Sequence, residues 1–230
     1  MSKKSPDHFE TYRPKISRDL VPSSAKDLKL AEKKQKKIVE GACNLFFKKG
    51  FHGTNIREIA AECGMSMGQL YHYISSKDDI LFLVYKHLQE LWYEYLVDFG
   101  FEETEEPLTR LIRAIRSTIE FPSKNQKLFQ FIFSEAKYLD KEHLKVILEL
   151  DNRNVSGFFL ELLKEVNKKY PMDCDLDLAA RSLTFYTLFI ALRGWNLKEW
   201  STNEIVDFML TFILKGLGLP NNASSAGRGL

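Results

Sequence analysis

A chain of 230 residues has room for one or two domains with a sizeable core, and its 44% apolar and 28% charged content is that of a globular protein. No apolar run reaches the roughly 18 residues of a membrane-crossing helix, and the basic N-terminus lacks the apolar stretch of a signal peptide, so a cytoplasmic protein with no membrane partner is expected. The net charge of +2 is unevenly placed: residues 1–90 hold 16 Lys and Arg against 11 Asp and Glu, and the remainder holds 17 against 20, which points to a polyanionic partner for the N-terminal part.

Residues 1–30, with Pro6, Pro14 and Pro22 and scattered charge, read as a mostly disordered arm. A first helix begins near Lys33, carries Ile38, Ala42, Leu45 and Phe46 on one stripe, and stops at Lys49-Gly50. Asn55 with Glu58 is a capping box for a second helix, which Gly64 ends. Ser66 caps a third, running to about Tyr73. Ser76 caps a long fourth, reaching about Val97, with Asp78 and Asp79 where the helix dipole favours anions. Glu105-Glu106-Pro107 opens a fifth that stops at Phe121-Pro122, and a sixth covers 124–139. Asp140 starts the next, with a break near Asn152–Asn154 and an end at Tyr170-Pro171. Asp175 or Asp177 opens a helix to about Lys198, and Ser201 with Glu204 caps the last, which ends at Gly216–Gly218.

No strand alternation and no internal repeat is present, so the fold class is all-α. The expected organisation is an arm over 1–30, a helix-turn-helix domain over 31–78, a helical body over 79–218 and a flexible tail over 219–230. Cys43, Cys63 and Cys174 are odd in number and widely spaced, matching neither a disulfide framework nor a zinc pattern. The histidines do not cluster in sequence, and neither a nucleophile motif nor a phosphate-cradling Gly loop appears. No metal, no cofactor and no enzymatic activity are expected.

The second and third helices have the pattern of a helix-turn-helix. Ala60 sits where two such helices cross most closely, and Gly64, four residues on, takes the left-handed turn that aims the second of them. Ile56, Ile59, Met65 and Leu70 face inward. Such a reading helix enters the major groove by its N-terminal end. The expected DNA-facing set is Thr54, Asn55, Arg57, Ser66, Met67, Gln69, Tyr71, His72, Tyr73 and Lys77. Gln69 suits adenine, Arg57 guanine and Met67 a thymine methyl. Thr54, Asn55 and the Tyr hydroxyls suit phosphate oxygens, and Lys77 adds a point charge.

The segment GFHGTNIREIAAECGMSMGQLYHYISSKDDIL, residues 50–81, resembles the N-terminal domain of the tetracycline-repressor (TetR) family of bacterial regulators, and the likeness extends over about residues 33–85. The resemblance implies a homodimeric transcriptional regulator with a small-molecule pocket in its C-terminal helices. Two positions depart from the family pattern: Met67 stands where Lys is frequent, and Ile74 where Phe is usual. The first bears on the operator sequence, the second on packing.

The C-terminal helices are apolar on nearly every side, as in Ile205, Val206, Phe208, Met209, Leu210, Phe212, Ile213 and Leu214. Such helices need burial all round, which a twofold-related copy supplies. Leu188, Leu192, Phe208 and Phe212 are the expected dimer contacts, and a dimer also presents two reading heads to a pseudo-palindromic double-stranded DNA operator. Phe129, Phe133, Phe158, Phe159, Phe185, Tyr186, Phe189 and Trp195 are the expected lining of an apolar effector pocket. Arg110, Arg113 and Arg116 recur at three-residue spacing, either as a solvated face or as partners for an anionic head group such as that of a fatty acyl-CoA. The expected function is a repressor that its effector releases from DNA. The alternatives are a ligand-independent architectural DNA-binding protein and, more remotely, a helical enzyme.

Overall fold

The computed structural model describes residues 10–17, 20–21, 23–24, 27–100 and 105–220. Every regular element among them is a helix, as the periodicity predicts. The expected tail beyond Pro220 and the parts of the expected arm at 1–9, 18–19, 22 and 25–26 lie outside the described residues. The chain divides into two compact units, one of residues 14–92 with 130–150, the other of residues 1–13, 93–129 and 151–230.

The first unit holds α1 (Leu28–Lys49), α2 (Ile56–Glu62), α3 (Met67–Tyr71) and the first two thirds of α4 (Lys77–Phe99). It also takes most of α6 (Gln126–Glu135), a 3₁₀ turn at Ala136–Tyr138, and α7 (Lys141–Asp151). Asp27 caps α1, three residues before the Leu30 amide that its side chain accepts, and Ile38, Ala42 and Phe46 form the buried stripe. Phe46 stacks on Phe131 of α6 at 5.1 Å. Phe82 of α4 stacks on the buried His143 of α7 at 4.2 Å. His143 Nε2 lies 2.7 Å from the carbonyl of Leu20, and Nδ1 lies 2.6 Å from the Asp140 carboxylate. Val21 is buried in this unit, so this part of the expected disordered arm is packed.

The second unit is built round α5 (Pro107–Lys124), which packs on α8 (Gly157–Asn167), α9 (Leu176–Thr187), α10 (Phe189–Arg193) and α11 (Thr202–Gly216). Glu106 caps α5, with Pro107 at the first helical position, where its missing N–H has no bond to lose. The helix does not stop at Pro122 as expected. The hydrogen bond that proline forfeits falls in the last turn, and Asn125 closes the end with both its backbone and side-chain N–H on the Phe121 carbonyl. The break expected near Asn152–Asn154 is a π-helical turn over Asn152–Ser156, so the chain widens without leaving the helix. The single helix expected from Asp175 to Lys198 is two: α9 ends at Thr187, and α10 is followed by a 3₁₀ turn, Gly194–Asn196. Tyr12, also from the expected arm, is buried here, edge-on to Phe158 at 5.9 Å with its hydroxyl donating to Glu161 at 2.5 Å.

The arginines of α5 form neither a solvated face nor a free anion cradle. Arg110 is 7% exposed and bonds Glu165 at 2.7 Å. Arg113 donates to Glu105 at 2.6 Å and to the carbonyls of Phe99 and Gly100. Arg116 pairs with Asp207 of α11 at 2.5 Å. Each is neutralised by a carboxylate of its own chain, which corrects their assignment to an effector head group. Arg110→Ala removes a charge-assisted bond from a buried site, and such bonds contribute about 1.5–3 kcal/mol. Urea unfolding should show a lower midpoint by that order with an unchanged slope; an unchanged midpoint would mean that water replaces the guanidinium.

Candidate nucleic-acid interface

The reading segment is assembled from two short helices whose ends are closed by their own side chains. At the start of α2, Asn55 Oδ1 accepts from the Glu58 amide (2.9 Å), and the Glu58 carboxylate accepts from the Asn55 amide (3.1 Å). Lys49 sits 2.6 Å from the same carboxylate and is the main cause holding the Glu58 pKa below its usual range. At the start of α3, Ser66 Oγ accepts from the Gln69 amide (3.2 Å), and Gln69 Oε1 accepts from the Ser66 amide (2.9 Å). The first reciprocal cap is the expected one; at α3 the Ser66 cap is as expected, and the return bond from the Ser66 amide to Gln69 adds to it.

Between the two helices Gly64 takes φ +59°. Its N–H bonds the Ala61 carbonyl at 2.9 Å, and the Met65 N–H reaches back to Ala60 at 2.8 Å. This paired closure satisfies the last carbonyls of α2 and turns the chain into α3. Ala60 and Leu70 are buried, as their places in the motif require. The far end of α3 is held from outside: the His72 carbonyl accepts from the Ser24 amide at 3.1 Å, and the Tyr73 carbonyl accepts from Gln35 Nε2 at 3.1 Å. Gln35 escaped the sequence reading because a lone Gln in a run of lysines carries no periodic or motif signal.

The ten residues expected to face DNA divide into two groups. Asn55, Arg57, Ser66, Gln69, Tyr71 and His72 are exposed and Met67 is half-buried. Thr54, Tyr73 and Lys77 belong to the scaffold. Thr54 is 1% exposed with its hydroxyl donating to the Gly50 carbonyl, and Tyr73 is 9% exposed. Lys77 turns inward: its ammonium donates to the carbonyls of Phe51 (2.8 Å) and Thr54 (2.9 Å) and lies 4.2 Å from the Phe51 ring centre. Desolvation there lowers its pKa. The expected phosphate contacts from Thr54 and Lys77 are therefore corrected: carbonyls of the loop before α2 claim both groups, Gly50 taking the Thr54 hydroxyl and Phe51 and Thr54 the Lys77 ammonium. Gln69 is exposed, but the oxygen it would offer to adenine is the one that caps α3.

Residues 38–84 match the family described as bacterial regulatory proteins, tetR family. Those residues form a TetR-family domain. The regulator HbdR of Aromatoleum sp. (strain CIB) is 36% identical over 99 residues, 43% of this chain and 43% of HbdR, so the match spans less than half of that relative. A tetR-family regulatory protein from Rhodococcus RHA1 has the same fold, with a TM-score of 0.68 at 20% identity over 82% of this chain and 99% of the other. AibR, solved with isovaleryl coenzyme A and operator DNA, has a TM-score of 0.62 at 24% identity over 78% of this chain and 97% of its own. These neighbours share the helical fold of the chain, and residues 38–84 are the part that matches the family.

Lys77→Met keeps most of the stem of the side chain and removes three N–H donors. The Phe51 carbonyl keeps the Thr54 N–H at 3.3 Å, but the Thr54 carbonyl loses the ammonium, a loss of about 1–3 kcal/mol for an unsatisfied buried acceptor. Thermal and urea unfolding should both register the drop. Full retention of stability would show that the ammonium is dispensable to the loop.

Proposed function

We propose that the protein is a homodimeric transcriptional regulator that reads a pseudo-palindromic operator through α2 and α3 and is released by an apolar effector, with fatty acyl-CoA thioesters as the first candidates. The observation that carries the DNA-reading part is the exposed set Arg57, Gln69, Tyr71 and His72 on a helix-turn-helix whose caps and turn are all satisfied internally. Arg57 is the guanine reader, and Gln69 acts through its free Nε2 as a single donor rather than a bidentate partner. The half-site spacing that two such heads meet is about 34 Å or a multiple of it.

Support for the dimer comes from α9 and α11. Phe208 is 71% exposed, Phe212 56%, Phe185 62% and Leu178 65%. Phe208 and Phe212 stack at 6.4 Å, and Tyr186 meets Phe212 edge-on at 6.2 Å, so the two helices present one continuous apolar face. A groove of about 270 Å³ lined by Leu178, Leu183, Tyr186, Phe212 and Ile213 indents it. Leu188 and Leu192 are half-buried beside it in sequence. A patch of this kind on a globular chain calls for a partner, and a second copy supplies a self-complementary one.

The effector reading rests on the likeness to AibR and its isovaleryl coenzyme A, not on the eight aromatic residues named from sequence. Phe158 and Phe159 are core, in mutual contact at 5.5 Å. Phe129 packs edge-on to Phe121 at 5.8 Å. Phe185, Tyr186, Phe189 and Trp195 are exposed, and Phe133 is exposed in the other unit. The burial of Phe158 and Phe159 in the core of the second unit supports, as the second reading, DNA binding without a small-molecule effector. The link from effector to DNA would run through α4, one continuous helix that starts in one unit and ends in the other.

Titration of short- and long-chain acyl-CoAs with and without operator DNA tests the effector. Reciprocal weakening, typically 5–150-fold, is expected, and failure of every acyl-CoA to bind leaves the ligand-independent reading. Gln69→Glu keeps an oxygen to cap α3 and loses the amide donor. Binding-site selection should then lose preference at one base pair per half-site, with a cost of about 1–3 kcal/mol in operator affinity. An unaltered consensus would remove Gln69 from the readers. Phe212→Glu puts a carboxylate on a side chain already exposed in the single chain, so folding should survive. Sedimentation should report a monomer and operator affinity should collapse; a mutant that stays dimeric would place the interface elsewhere.

A further inference from the structure

The reading segment is electrostatically unsuited to DNA on its own. Residues 51–81 hold two cations, Arg57 and Lys77, against four carboxylates, Glu58, Glu62, Asp78 and Asp79. Lys77 is committed to the Phe51 and Thr54 carbonyls. Duplex DNA carries one negative charge for each 1.7 Å or so of its axis, and protein cations that replace its counterions supply most of the non-specific affinity. The missing positive charge lies in α1, where residues 27–49 hold seven lysines against Asp27, Glu32 and Glu40.

The helix is laid along the reading segment. Asn44 donates to Glu62 at the end of α2 (3.1 Å), the Cys63 thiol faces the Lys37 carbonyl (3.4 Å), and Gln35 bonds the Tyr73 carbonyl beyond α3 (3.1 Å). The Lys37 ammonium stands 4.0 Å from the point a Cβ on Gly64 would occupy, so it lies at the turn between α2 and α3. Lys33 and Lys34 precede it by four and three residues and share its side of the helix. Lys33 and Lys37 are exposed and Lys34 is half-buried, and no carboxylate among the described residues pairs with any of the three. Lys36 points elsewhere, into a groove of about 380 Å³ that it lines with Glu32, Lys86 and Glu90.

We propose that Lys33, Lys34 and Lys37 form a ridge that binds the DNA phosphate backbone beside the reading helix. The inference rests on the DNA-reading function above. Ammonium groups on flexible stems neutralise phosphates as point charges and carry no base information. The ridge therefore supplies affinity and salt dependence, and α2 and α3 supply the choice of sequence. It takes the place that Lys77 and Thr54 leave vacant by turning inward.

The test compares the full-length protein with Lys33→Gln/Lys37→Gln, and with Lys164→Gln/Lys168→Gln on exposed sites of the second unit as a control for net charge. Binding to a selected operator and to a random duplex is measured across a range of KCl concentrations. The ridge variant should lower the slope of log K against log salt by about 0.9 for each lysine lost from contact. Both duplexes should weaken alike, the selected base preference should be kept, and the melting temperature should stay near wild type. A wild-type slope in the ridge variant, or an equal fall in the control, overturns the ridge while the DNA-reading function stands. A wild-type protein that binds neither duplex at any salt overturns both.

Discussion

The ammonium of Lys77 is the point on which the reading head depends. It gathers the Phe51 and Thr54 carbonyls at the first turn of α4 and so fixes the loop that feeds α2. The loop admits no slack elsewhere: a Cβ on Gly53 would come within 2.3 Å of the Lys49 carbonyl oxygen, and the Thr54 hydroxyl is bound back to Gly50. With that loop set, the start of α2 is held relative to α1 and α4, and the rest of the motif follows by short-range closure. A cation that elsewhere would meet solvent or phosphate is held by backbone acceptors that have lost water.

The same economy of polar groups shapes the exposed face. Two helices of seven and five residues are too short to be stable by propensity, and their unsatisfied ends are a large share of their backbone. Asn55, Glu58, Ser66 and Gln69 are therefore occupied in capping before any ligand arrives. This narrows what they offer to DNA: Gln69 retains its Nε2, Asn55 its amide, and Arg57 its whole guanidinium. Rigidity of the surface and restriction of its chemistry come from the same hydrogen bonds.

In the second unit, charge and apolar surface are sorted differently. Arg110 of α5 is buried and Arg113 and Arg116 are half-buried, the three paired with Glu165, Glu105 and Asp207, while large rings of α9 and α11 remain outside. Burial of Arg110 is tolerable because its carboxylate partners come with it. Phe208 and Phe212 stay exposed on α11 while Val206, Met209, Leu210, Ile213 and Leu214 are buried, so the apolar pattern of the last helix serves two faces, and the proposed dimer contact rests on the outer one.

Local features were legible without coordinates. The capping boxes at Asn55 and Ser201, the Ser66 cap, the Pro107 start of α5 and the positive φ of Gly64 all follow from side chains acting within a few residues of themselves, whereas the return bond from the Ser66 amide to Gln69 is visible only in the structure. The helical class and the family domain follow from these, because periodicity and caps are local quantities. Partners distant in the chain were not legible. Lys77 meeting Phe51, Arg110 meeting Glu165 and Tyr12 meeting Glu161 join residues 26, 55 and 149 positions apart. Whether a Lys faces a phosphate or a carbonyl, and whether a Phe lines a pocket or faces outward, depends on which acceptor or surface the packed chain brings within about 3–4 Å. Sequence determined which groups had to be satisfied; only the tertiary structure decided by whom, because hydrogen bonds and apolar contacts act at ångström range across any separation along the chain.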